Sequence, residues 1–191
     1  MLCVMSNPIF AAHYNTYDEF FAEFGSDAAS YVDPDSKQTA LTGALANADF
    51  KARYAIANRL LDEGADPAYV TSTPTNALHA ALGRRKHDWD ALAPLLRRLL
   101  DGGADPNLVA PKFGTPLQMI ANLRGMTEDQ LAPIYDVFFA RDDLDLLKQA
   151  EYGQSPLALA RKRRGRLPEL SRRMEQYLHE RGIEVPKDEE E

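Results

Sequence analysis

Apolar residues recur along this chain with two superimposed periods, one helical and one much longer. Leu92, Leu95, Leu96, Leu99 and Leu100 stand at i, i+3, i+4, i+7 and i+8, which is one face of an α-helix. The shift that carries Leu92 onto Leu131 turns this set into Leu131, Ile134, Tyr135, Phe138 and Phe139. The same shift again gives Leu170, Arg173, Met174, Tyr177 and Leu178, and its reverse gives Arg53, Ile56, Ala57, Leu60 and Leu61. One amphipathic template therefore recurs four times in register. It predicts long helices near 49–63, 88–101, 127–140 and 168–181.

The flanking residues agree with these spans. Asp49, Asp88 and Thr127 keep the same spacing and are good N-caps, whose side-chain oxygens accept from the free amides of the first turn. Thr127 and Gln130 match a capping box, and Pro168 suits the first turn of the fourth helix, where a missing N–H costs nothing. Gly64, Gly103 and Gly182 follow three of the helices where a left-handed residue is wanted, whereas the third ends in "ARDD". A shorter element precedes each long helix: "QTALTGALA" (38–46), "TNALHAALG" (75–83), "GTPLQMIAN" (114–122) and "QSPLALARK" (154–162). Short helices are predicted to begin near 39, 76, 115 and 155. The small residues Ala44, Ala81, Ala121 and Ala160 let them lie close to their neighbours.

"LLDEGADPAYV" at 60–70 and "LLDGGADPNLV" at 99–109 make the repetition explicit. Together with "TNALHAALG", which is similar to a Thr-Pro-Leu-His-x-Ala signature, they resemble the ankyrin repeat family over about residues 35–185. The repeat here is longer than the family's roughly 33 residues. The surplus falls between the two helices, as in "GRRKHDW" and "NLRGMTE". The signature histidine is present only at His79. The resemblance implies an all-α solenoid of helix pairs with short hairpin or turn fingers, whose concave face binds another protein. Stacking has its own physical ground, because no single unit can bury its apolar helix face alone.

The chain then reads as an N-terminal segment 1–34, four ankyrin-like repeats (about 35–71, 72–110, 111–149 and 150–185) and an acidic tail, 186–191, expected to be disordered. Tyr17, Phe20, Phe21 and Phe24 share a helical face in the first segment and predict a capping helix or a degenerate fifth repeat.

Composition narrows the function classes. The 191 residues carry a formal charge of −7, which argues against unselective nucleic-acid binding. The single cysteine, Cys3, forbids an intramolecular disulfide and has no basic neighbour to favour its thiolate. Four histidines without ligand spacing predict no metal site and no cofactor. "MLCVMSNPIFAAH" lacks the basic start of a signal peptide, and no apolar run approaches a membrane span of roughly 20 residues. A cytoplasmic protein, monomeric when unbound, is the expectation.

Few residues suggest chemistry. His79 is read as structural from its place in the signature, bonding between neighbouring units. Asp66 and Asp105 recur with the turn and read as turn formers. "GADP" is no phosphate loop, because its glycine ends a helix instead of opening one. Trp89 is read as cover over its helix pair. The basic run "RKRRGR" at 161–166 has no interleaved aromatics, which disfavours a nucleic-acid partner.

Positions just after the signature alanine face the groove in the family. The residues there are Arg84 and Arg85, Asn122 with Arg124 nearby, and Lys162 and Arg163; the finger residue Lys112 adds a further charge. These seven are the candidate partner-binding residues. The expected function is non-enzymatic binding of a protein with an acidic contact surface. The alternative is an antitoxin or immunity-type inhibitor that occludes a toxin or enzyme.

Overall fold

The computed structural model describes residues 7–150 and 153–187, so Cys3 and residues 188–191 of the acidic tail lie outside it. Among the described residues the fold is all-α. These residues form ten α-helices, the 3-10 helix Ser26–Ser30 and two isolated antiparallel bridges, Val32 with Thr39 and Ala110 with Gly114, with no strand among them. The chain divides into two compact units, Met1–Asp105 and Pro106–Glu191.

Unit 1 contains α1 (Pro8–Tyr14), α2 (Tyr17–Glu23), α3 (Ala40–Leu45), α4 (Phe50–Asp62), α5 (Ala77–Leu82) and α6 (Trp89–Asp101), with the 3-10 helix Ser26–Ser30 after α2. The long helices α4 and α6 lie close to their predicted spans. Asp49 caps α4 through the amides of Lys51 and Ala52, and Asp88 caps α6 through that of Ala91. Leu92, Leu95, Leu96, Leu99 and Leu100 are all buried, as the periodicity requires. Gly64 and Gly103 close the two helices with φ of +90° and +99°, a conformation open to glycine at little cost.

Helix α1 stands outside the periodic pattern. Asn7 caps it through the amide of Ile9, and Pro8 opens it. Ala11 and Ala12 present a small-residue face to α3, whose Gly43 lets the backbones meet. Asn47 fastens this contact by donating to the carbonyls of Ala12 and Asn15, both at 3.0 Å. In α2 Phe20 is fully buried, while Tyr17 stays exposed.

Arg53 occupies an apolar register position and is buried all the same. Its Nε donates to the carbonyl of Asn47 at 2.8 Å and its Nη1 to that of Lys86 at 2.9 Å. A buried cation is tolerable when its donors are used, and here they tie two connecting segments together.

Unit 2 contains α7 (Pro116–Asn122), α8 (Glu128–Phe139), α9 (Pro156–Lys162) and α10 (Pro168–Glu180). Thr115 and Ser155 cap the short helices with proline at the first position, and Thr127 with Gln130 forms the capping box. Leu131, Ile134, Tyr135 and Phe138 of α8 are buried, as are Leu170, Met174, Tyr177 and Leu178 of α10. Arg173, the polar residue in this register, keeps its stem half-buried and pairs its guanidinium with Asp136 and Glu169.

Side chains link successive turns of unit 2. Asn107 donates to the carbonyl of Asp143 at 2.6 Å and accepts from the amide of Asp145 at 2.8 Å. Gln118 donates to the carbonyl of Gln154 at 2.8 Å, and the Tyr177 hydroxyl accepts from the amide of Leu144 at 3.0 Å. The turn after α8, which lacks glycine, is held by the Arg141–Asp143 ion pair and by Arg181, which donates to the Arg141 carbonyl.

Candidate functional site

The structure gives the seven candidate residues different surroundings. In unit 1, Arg84 is half-buried and its Nη2 donates to His13 Nε2 of α1 at 3.2 Å. Its carbonyl accepts from His87 Nε2 at 2.6 Å, which leaves His87 Nδ1 to face the Tyr54 hydroxyl at 3.4 Å. Burial holds His87 well below the ordinary histidine value, at about 4, and the nearby Arg53 charge adds to the effect. Partial burial, then the Arg84 guanidinium, also lowers His13. Arg84 thus belongs to a network that fastens α1 in place, and Arg85 beside it is exposed. Trp89 is half-buried, with its ring 4.9 Å from that of His87.

In unit 2, Lys112 is exposed on the Ala110–Gly114 turn with a φ of +67°. Asn122 ends α7 and its Oδ1 accepts from Arg163 Nη2 at 3.3 Å, so the ends of α7 and α9 meet. Lys162, the last residue of α9, is exposed next to Arg163. Arg124 is exposed in the connection after α7. Asn122, Lys162 and Arg163 are therefore brought together, whereas Arg84 is engaged with its own unit's N-terminal helix.

The basic run 161–166 separates into neutralised and open charges. Arg161 and Arg164 both pair with Glu175 of α10, and Arg166 donates to the carbonyls of Ala121 and Leu123. Lys162 has no hydrogen bond or ion pair among the described residues, and Arg163 has only the neutral Asn122 amide. Lys187 joins these open charges. It directly follows Pro186, whose carbonyl accepts from Arg161 Nη1 at 2.7 Å, so Pro186 is held against α9. Nothing in the local sequence marks this contact, because its two partners are remote in the chain.

His79 is buried, with Nδ1 2.8 Å from Asn76 Oδ1 in the cap of α5, and Asn76 in turn donates to the carbonyl of Asp105. Asp66 accepts from the amide of Ala68 at 2.8 Å, as a turn former does. No three His, Cys, Asp or Glu side chains gather as a metal site among the described residues. No helix among them is long and apolar enough to cross a membrane.

No family model matches this chain, and no curated protein matches it either. Its fold is similar to the crystal structure of a functionally unknown protein from Leptotrichia buccalis. The TM-score is 0.76 at 24% identity, over 94% of this chain and 96% of that one. The likeness bears on the fold alone.

Proposed function

We propose that this protein is a non-enzymatic binding module built from ankyrin-like helix pairs, and that it holds another protein through a basic surface. The supporting observation is the sorting of charge in unit 2. Arg161 and Arg164 share Glu175, and Arg172 and Arg173 share Glu169 with Asp136 added on Arg173, while Lys162 and Arg163 at the end of α9 have no carboxylate among the described residues. In a chain of net charge −7, open cations beside saturated ones mark a surface suited to an external acid. The shifted histidine His87 is used up by the Arg84 carbonyl and Tyr54, which favours binding over catalysis in that network.

The test is affinity capture from the native host with the wild-type chain and with a Lys162→Glu/Arg163→Glu variant. Both residues are exposed, so the substitutions should move stability by no more than about 0.5 kcal/mol each. A partner retained by the wild type and lost by the variant, with association slowed by salt, is the expected result. A partner that ignores both substitutions would refute the basic surface.

A further inference from the structure

A cleft of about 810 Å³ opens in unit 2 between α9, the turns around Leu147 and Gly153, and the segment that follows α10. That volume is within the range of pockets that enclose a drug-sized ligand, so it suits a short stretch of chain better than a flat protein face. Its cations are Arg161, Lys162, Arg163, Arg164 and Lys187. Two of these are spent on Glu175, and the rest carry no carboxylate among the described residues. Among the described residues, positive charge is therefore in excess at this cleft.

The remaining lining identifies the kind of anion. Gln149 and Gln154 border the cleft, and neither side-chain amide has a hydrogen-bond partner among the described residues. Each amide offers a donor and an acceptor, which is what a peptide backbone presents in return. Leu147 and Pro186 add apolar surface at the same cleft.

We infer that this cleft binds an extended acidic peptide segment of the partner protein. Its carboxylates lie on Lys162, Arg163 and Lys187, its backbone on Gln149 and Gln154, and an aliphatic side chain on Leu147 and Pro186. The inference rests on the protein-binding reading above and names the part of the partner that the basic surface takes.

The probe is a fluorescein-labelled peptide of glutamate and aspartate residues around one leucine, titrated into the full chain and followed by anisotropy. Wild-type protein should bind it, more weakly as salt rises. Lys162→Glu/Lys187→Glu should weaken binding by about tenfold or more, with helicity unchanged because both positions are exposed. Gln149→Ala/Gln154→Ala, which alters no charge, should weaken it severalfold. Absence of binding, or binding indifferent to the lysine pair, would overturn the inference. So would equal affinity for an oligothymidylate of matched charge. Binding that appears only after residues 188–191 are deleted would make the chain's own acidic end the occupant, and would also overturn it. The two readings fail separately. A captured partner held equally by wild type and the lysine variant leaves protein binding standing and removes the cleft; peptide binding by a chain that captures no partner does the reverse.

Discussion

Gly43 of α3 lies directly beneath the backbone of Ile9 in α1: a β-carbon at Gly43 would stand 2.5 Å from the Ile9 carbonyl oxygen. Backbone cannot yield as the end of a long side chain can. Gly43→Ala should therefore destabilise unit 1 by about 1–3 kcal/mol, although alanine is the better helix former by about 1 kcal/mol. Chemical denaturation measures the net effect. An unchanged or raised midpoint would show that α1 moves away freely.

The turns after α6 and α8 make a matched pair. Gly103 has a φ of +99°, while Asp142, which the sequence shift from Leu92 to Leu131 places opposite it, has no such conformation. Gly103→Val should cost more than about 1 kcal/mol, because a β-branched residue resists positive φ. Asp142→Val should cost less. Equal losses in urea would contradict this difference between the turns.

Leu96 is fully buried at the middle of α6. Leu96→Ala should cost roughly 2–5 kcal/mol as a cavity variant. A loss under about 1 kcal/mol, read from the denaturation midpoint, would mean that the site collapses around the smaller residue.

Arg53→Met keeps the buried stem and removes the donors. It leaves the carbonyls of Asn47 and Lys86 without them and should destabilise by about 1–3 kcal/mol. Hydrogen exchange should quicken first in the segments around those two carbonyls. Uniform exchange throughout unit 1 would argue against a local tie.

Stability should also fall with acid before the carboxylates titrate. His87 and His13 both have folded values below 6.5, His87 at about 4, so the unfolded chain binds protons that the folded chain refuses. Stability is then fully present above the unfolded value and declines as pH falls toward 4. Between pH 6.5 and 5 the loss should reach about 1–2 kcal/mol, after a discount for the partial exposure of both rings. His87→Gln should flatten that slope. A wild-type midpoint constant over the same window would contradict the burial of neutral His87.

Most of the long and short helices are legible because they carry their own periodicity and a side-chain cap, while α10 is marked by its periodicity and Pro168 alone. Helix α1 escapes that reading although Asn7–Pro8 has the cap-and-proline form of Thr115–Pro116, since its apolar stretch is too short to show a period. Arg53 and Arg173 look like faults in the register when only neighbouring residues are weighed. Beside the nearby Asn47 and Glu169, each has a partner far off in the chain, Lys86 for Arg53 and Asp136 for Arg173, 33 and 37 residues away. The candidate site is partly legible for the same reason. Recurrence locates the cations, but whether each is open depends on remote partners, as when Arg84 meets His13 of the first helix.

The Asn107 link has a consequence for engineering. One amide side chain sets the register between its own turn and Asp143–Asp145. The connection from Leu123 to Thr127 takes no part in that link, and at its centre Gly125 has a φ of +75° with open space where a side chain would begin. New length at Gly125 leaves the Asn107 junction intact. A loop graft there is the place to insert an epitope or a reporter without disturbing the turns.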